Sequence, residues 1–458
     1  MCRPGRPPGG EPEHLCVLGD LVAACEIFSR TATGPRSDPE GRPLTTSFLT
    51  RAGLTGVLAL SCAGLTGLAA AGPAHAATPD SGTAAHFLAT QLAAGGDHFS
   101  VSAGGTSYAD YGLTIDGVFS LDSAHSGQAE ATRAASYITK NAASYNSYGQ
   151  DLYAGATAKL LVFAEAQGLP TAGYLKQLKS LEQSSGQFKD KSAYGDYSNT
   201  IGQSLAVIGL IRAGQPDAQA VDFLAQQQCS DGGFRMTFTG SCTGDTDATS
   251  LAVQALVAAG GHGAAVDKAV DYIAGQQQAD GGVLEPAAEA GANANSTGLA
   301  AVAFALTGRN AEASKAKNFV AGLQFGCAAP AALRGGFAFD KKSFDAATAQ
   351  GSTAKVSDQE RRATTQAVLA FTQQPYLTIT AGGAATAPAL SCATTSPTST
   401  TSPSSTTSAT STTTGPAIIT DGPQSGGGNT GVLFGGAALL GGALLTGAGL
   451  RRRMRSTD

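Results

Sequence analysis

Two segments constrain this chain more than any other: "FLAQQQCSDGGF" at 223–234 and "YIAGQQQADGGV" at 272–283. In each, an aromatic residue precedes a glutamine by five positions and a Gly-Gly turn follows. Phe319 and Gln324 repeat the spacing, and Gln183 is a fourth case with Leu178 in the aromatic slot. Successive glutamines, Gln183, Gln228, Gln277 and Gln324, stand 45, 49 and 47 positions apart. Periods of this size belong to helical hairpins, none of which can bury its apolar face alone and which therefore stack.

A second kind of helix alternates with the glutamine-closed ones. "NTIGQSLAVIGLIRAG" (199–214), "GDTDATSLAVQALVAAG" (244–260) and "NANSTGLAAVAFALTG" (293–308) open on a polar cap and run on in small and apolar residues. "ADYGLTIDGVFSL" (109–121) and "RRATTQAVLAF" (361–371) fit the same frame, and "DLYAGATAKLLVFAEAQG" (151–168) fits loosely. A cap side chain accepts the free N–H groups of the first turn, and a glycine past the end permits a left-handed exit. So little charge along a helix means that both faces are covered. Partners such as "DKAVDYIAGQQQ" (267–278) and "ASKAKNFVAGLQ" (313–324) carry charge on one face and belong outside. Hairpins are expected near 84–122, 131–168, 171–214, 217–260, 265–308 and 311–373. About six hairpins close into an all-α fold, an α/α toroid with inner and outer helix rings.

"AVDFLAQQQCSDGGF" resembles the repeat of the prenyltransferase and squalene-cyclase superfamily: aromatic-Leu-x3-Gln, then Asp-Gly-Gly and an aromatic residue. The resemblance covers roughly 84–375, with Phe234 where the cyclases usually have Trp and Val283 further from the pattern. It implies a double helix ring with a cavity at the N-terminal ends of the inner helices. It also implies that the Gln fastens an outer helix end to the next turn, a structural role that names no activity. Asp245-Thr246-Asp247-Ala248 is similar to the acid motif of class II terpene cyclases, with Ala248 in place of the third carboxylate. A carbocation needs aromatic faces, and the chain has no Trp. Asp245 and Asp247 are therefore read first as helix caps. The zinc set of the protein prenyltransferases has no counterpart here. The superfamily's cobalamin carriers bind without catalysis but close over their ligand with a second, β-rich domain. Only "YLTITAGGAATAPALSC" (376–392) follows the ring in this chain.

Both ends lie outside the repeat. Residues 1–43 are read as an overextended start or a disordered leader, and 44–76 as a signal peptide ending on the small-residue site Ala74-His75-Ala76. The toroid occupies 77–392. The Ser/Thr/Pro-rich stretch within 393–431 reads as a disordered stalk, and 432–450 as a transmembrane helix followed by the basic tail 451–458. The arrangement resembles a Gram-positive cell-wall sorting signal. Its "GGNTG" keeps the Thr-Gly of the pentapeptide but not the first two positions, which leaves sortase processing in doubt and membrane retention expected. Export to the cell surface follows. An oxidising compartment turns four cysteines into two disulfides, Cys229 with Cys242 and Cys327 with Cys392. The formal net charge of −5 argues against a nucleic-acid partner. No motif calls for a metal or another cofactor.

Nine of the eleven tyrosines fall between Tyr108 and Tyr197, many just before an inner helix and beside an Asp. Tyr108, Asp110, Tyr111, Tyr148, Asp151, Tyr153, Tyr194, Asp196 and Tyr197, with Asp245 and Asp247, are the candidate ligand-binding residues. They suit a ligand with apolar faces and hydroxyl or amide groups. Arg361 and Arg362 open the last inner helix and are candidates for an anionic contact. The expected function is non-catalytic binding of a small or glycan-like molecule at the mouth of the inner ring. The alternative is an enzyme on the same ring, terpene-cyclase-like or glycan-cleaving, with Asp110 and Asp151 or Asp245 and Asp247 as its carboxylate pair.

Overall fold

A computed structural model describes residues 79–103, 105–286 and 291–392. Glutamine-closed and apolar helices alternate as the repeat predicts. The outer helices are α1 (Ser81–Ala94), α3 (Gln128–Asn146), α5 (Ala172–Lys179), α7 (Ala218–Ala225), α9 (Gly263–Gln276) and α11 (Asn310–Ala321). The inner ones are α2 (Tyr111–Ser123), α4 (Ala154–Ala166), α6 (Thr200–Arg212), α8 (Thr246–Ala259), α10 (Ala294–Leu306) and α13 (Asp358–Thr372), with α12 (Lys341–Ala349) in the last connection. Two short hairpins interrupt the helices: β1 (Phe99–Ala103) pairs with β2 (Thr106–Asp110), and β3 (Ser147–Tyr148) with β4 (Asp151–Leu152). The fold is an α/α toroid. The expected leader, signal peptide, stalk, anchor helix and tail lie outside the described residues. Among those described, no helix is long and apolar enough to cross a membrane.

The inner helices are covered all round. Along α8 every residue from Thr246 to Leu256 is buried, and α6 is buried without a break from Thr200 to Leu210. Each Leu, Val or Phe so buried contributes about 1.5–3 kcal/mol. Neighbours pack in the order α4, α6, α8, α10, α13 and α2. A salt bridge of 2.8 Å from Lys159 on α4 to Asp116 on α2, nearly buried, joins the remaining pair.

The glutamines answer for the ring's closure. Gln228 Nε2 donates to Gly232 O in its own turn (2.9 Å) and to Ala265 O at the start of the next outer helix (2.8 Å). Gln277 repeats this on Gly281 O (3.1 Å) and Glu312 O (3.0 Å). Gln324 carries the pattern from the last repeat back to the first, donating to Gly335 O and Asp80 O, both at 2.9 Å, and accepting from Asp80 N at 2.8 Å. Glycine is required beside these contacts. Gly281 and Gly335 hold φ of 94° and 85°, and a Cβ there would stand 2.2 Å from Lys315 O and 2.5 Å from Thr83 O. Gln183 departs from the expected series: its amide donates to Leu181 O within its own loop (3.0 Å). Gln203 of α6 does the fastening instead, reaching Gly186 O (2.9 Å) and Ala220 O (3.1 Å). Its side chain is long enough to span both, whereas the equivalent Thr249, Thr297 and Thr364 of other inner helices reach one turn amide each.

The segment after α13 is a strap across the C-terminal ends of the inner helices. Tyr376 N donates to Gln254 Oε1 of α8 (3.1 Å), and Arg212 Nη1 at the end of α6 donates to Tyr376 O and Leu377 O (2.8 and 2.7 Å). Ala381 N then meets Ala166 O of α4 at 2.8 Å, and Ala384 N meets His125 O after α2 at 2.9 Å. Tyr376 and Ile379 are buried, the tyrosine set edge-on to Phe119 at 5.3 Å. A disulfide from Cys392 to Cys327 (Cα–Cα 5.5 Å) ends the strap, and Cys229 pairs with Cys242 (5.3 Å) across the turn before α8. Both expected pairings are present.

Candidate functional site at the mouth of the inner ring

The first amide of four inner helices is accepted by the loop of the following repeat. Ala154 N of α4 meets Asp190 Oδ1 (2.6 Å) and Thr246 N of α8 meets Glu285 Oε2 (2.7 Å). In α6 and α10 a carbonyl serves: Thr200 N meets Met236 O (2.9 Å) and Ala294 N meets Phe339 O (2.7 Å). Asp190 and Glu285 were not among the residues expected from sequence, yet a signal existed. All four acceptors stand two residues after the aromatic slot that closes the glycine turn, namely Phe188, Phe234, Val283 and Phe337. The loose fit of α4 to the inner-helix pattern has the same origin. Tyr153 sits where the cap should be and makes no cap bond, so the cap is supplied by Asp190.

The expected site residues fall into three groups. At the α4–α6 corner, Tyr145, Asp190, Tyr197, Asn199 and Ile201 line a narrow cleft of about 10 Å³, room for about one water. Beside it, β3–β4 and the loop before α6 are tied by the Leu152–Lys191 bridge. That brings Tyr148 and Tyr194 together, with ring centroids 6.2 Å apart and planes at 51°. They are 48% and 52% exposed, the exposed large apolar side chains among the described residues. Asp151 Oδ1 accepts from Ala193 N (3.1 Å), Asp196 Oδ1 from Ser198 Oγ (2.6 Å), and the Tyr197 hydroxyl donates to Tyr194 O (2.9 Å). Burial pushes Asp190 up to about 6, against the pull of the Ala154 and Tyr197 amides on its two oxygens. Tyr153 belongs to the core beneath, 1% exposed.

The second group is closed. Asp110 is buried, caps α2 through Leu113 N (2.9 Å) and pairs with Arg362, which also holds Asp358 at 2.7 Å. Arg361 donates to Ser100 O of β1 at 3.2 Å. These arginines fasten the last inner helix to the first. Tyr111 is buried against Tyr137 and Tyr145, and Tyr108 is half-buried on β2. The tyrosines thus do not form one rim: a sequence cannot show which of several neighbouring aromatics turn inward. Nor do Asp110 and Asp151 form a catalytic pair, since ion pairing and burial occupy Asp110.

The third group stands at the start of α8. Asp245 caps it through Ala248 N (2.8 Å) and is pushed up to about 6 by burial. Asp247 is no cap, contrary to expectation: it lies inside the first turn, where its own amide meets Glu285 Oε2 (3.2 Å). It is 4% exposed, its Oδ1 has no hydrogen-bond partner, and burial, then the charge of Asp245, push it up to about 7. Among the described residues no group of three or more His, Cys, Asp or Glu could hold a metal ion.

Residues 152–359 match the family model of the prenyltransferase alpha-alpha toroid domain. Among solved structures, one of a protein from Actinoplanes is 16% identical, covering 64% of this chain and 99% of that one, with a TM-score of 0.46. A type II terpene cyclase from Scytonema, in its apo form, is 14% identical, covering 65% and 97% with a TM-score of 0.45. A glycosidase is 13% identical, covering 65% and 98% with a TM-score of 0.41. No curated protein matches the sequence.

Proposed function

From a chain that carries a prenyltransferase-type α/α toroid, we propose an exported, surface-tethered binding module, held at the membrane by its apolar C-terminal segment. It takes a glycan-like ligand at the α4–α6 corner of the mouth and does not transform it. The observation that carries this reading is the exposed Tyr148–Tyr194 pair beside the cleft. Two half-exposed rings forgo burial, which a stability role would not favour, and offer flat apolar faces to the C–H face of a sugar. Asp151, Asp196 and the Tyr197 hydroxyl stand alongside for its hydroxyl groups. Asp190, the carboxylate lining the cleft, has both oxygens engaged by backbone amides, which leaves it poorly placed as a nucleophile or base.

The test is titration of the purified full-length chain with soluble hexose and N-acetylhexosamine oligosaccharides, followed by analysis of the sugars. Binding that falls at least about tenfold in Tyr148→Ala and Tyr194→Ala, with oligosaccharides recovered intact, is the expected result; tenfold corresponds to about 1.4 kcal/mol. Shortened oligosaccharides would favour the glycan-cleaving alternative, and unchanged binding in both variants would remove the corner from the site.

A further inference from the structure

We infer that the first turns of α8 and α10 form a second subsite, which takes the primary ammonium group of a ligand on Asp247. The inference is independent of the Tyr148–Tyr194 reading. Its first support is register. Asp247 stands two residues after the cap Asp245, and Gly155 and Ile201 stand two after the cap positions of α4 and α6. Those two line the cleft at the mouth, so the same register on α8 turns Asp247 toward the mouth. On α10 the equivalent residue is Asn295, two after the cap Asn293.

The second support is what these side chains lack. Asp247 Oδ1 and Asn295 Oδ1 are both buried atoms without a hydrogen-bond partner. A buried acceptor left unmet costs free energy, and a carboxylate oxygen more than a neutral one. The two oxygens stand in one register on adjacent inner helices, and Asn295 itself is only partly buried.

The third support is charge. The titratable groups facing this turn are Asp245 at the cap, Glu285 from the loop before α10, and Asp231 and Tyr272 behind them, all acidic or neutral. From α10 come the neutral Ser296, whose side chain hydrogen-bonds the Asp247 carboxyl and leaves Oδ1 unmet, and the neutral Asn295. A cation with N–H donors is the complement of such a place, and an ammonium supplies up to three of them. Because burial and Asp245 hold Asp247 near half-protonation at neutral pH, a bound ammonium would favour its charged form and expel the proton.

The experiment follows the Asp247 carboxyl carbon by NMR through a pH titration of the full-length chain, assigned by its absence in Asp247→Asn. Ethylammonium is the probe, with ethanol and tetramethylammonium at matched ionic strength as controls. Ethylammonium is expected to lower the Asp247 midpoint by about one unit or more, a tenfold preference for the charged form. The controls should leave it in place, one lacking charge and the other N–H donors. Asn295→Ala should shrink the ethylammonium shift while leaving the midpoint without probe unchanged. An equal shift with tetramethylammonium would overturn the donor site, and no shift with any probe would overturn the subsite. Turnover of squalene or a shorter polyprenyl chain that disappears in Asp247→Asn would overturn it in favour of acid catalysis.

Discussion

The two ends of the inner ring solve the same problem differently. At the base, one continuous strap meets Ala166 O of α4 and His125 O after α2 backbone to backbone. It is held to α8 by Gln254 and to α6 by Arg212, with its far end tied by Cys327–Cys392. At the mouth, the orphan amides are met piecemeal by side chains and single carbonyls from the neighbouring repeat. Buried carboxylates show the contrast. Burial pushes Asp122, near the base, up to about 6, and Gln167 and Gln128 donate to its two oxygens. Asp247, at the mouth, is pushed up to about 7 with one oxygen unmet. A strap leaves no position free to vary, whereas caps supplied one residue at a time can each be replaced. On this contrast the base is the side of stability and the mouth the side of the proposed binding.

The largest expected effect tests the lock. Cysteines 65 positions apart close a long loop, and Cys327→Ser with Cys392→Ser should cost about 4 kcal/mol in the chain-entropy account. Cys229→Ser with Cys242→Ser, across 13 positions, should cost about 3 kcal/mol. Urea unfolding of both double variants measures the difference, and limited proteolysis should cut the strap in the first one only. A larger loss from the mouth-side pair would break the division of labour.

Next comes Arg212. Its guanidinium is half-buried, which lowers its pKa, and it donates to two strap carbonyls at 2.8 and 2.7 Å. Arg212→Ala should cost about 2–3 kcal/mol, because charged hydrogen bonds are lost and buried carbonyls left unmet. Thermal unfolding checks this, with glycan binding at the mouth expected unchanged.

Asp247→Asn should act with the opposite sign and depend on pH. A carboxyl raised from 3.8 to about 7 keeps its proton in the folded state after the unfolded chain has lost it. Its stabilising contribution is thus fully present below pH 3.8 and is lost as pH rises to about 7. The variant should match the parent near pH 4 and be more stable at pH 8, by on the order of 4 kcal/mol. Asp190 and Asp245, raised to about 6, keep part of the slope in the variant. Denaturant melts at the two pH values decide it. A loss of stability at pH 8 would return Asp247 to the capping role first read from sequence.

That reversal marks where the sequence stopped being legible. Hairpin number, helix kind and both disulfides follow from period, charge and cysteine count, which are properties of the chain itself. The closing bond of Gln324 on Asp80 follows from the repeat once the ring is assumed. Which Asp caps and which stands inside the first turn does not, because Asp245 and Asp247 look alike in a string. Nor does the inward turn of Tyr111 and Tyr153 against the outward turn of Tyr148, which depends on two loops meeting. Gln203 was hidden for the same reason: its reach matters only where Gln183 fails to cross.

The smallest expected effect is the most discriminating for the mouth. Tyr148 is 48% exposed, and its ring packs at a tilt on that of Tyr194. Tyr148→Ala should therefore change stability by no more than about 0.5 kcal/mol, the range of a surface substitution. Tyr153→Ala, at the start of α4 and 1% exposed, should cost about 3–5 kcal/mol on the scale of buried aromatic deletions. If the mouth is a binding surface built on an independent scaffold, Tyr148→Ala loses the ligand and keeps its melting temperature, and Tyr153→Ala loses both. A melting temperature that falls alike in the two variants would mean that the Tyr148–Tyr194 pair is part of the packing. The exposed rings would then belong with the strap, on the side of the molecule's stability.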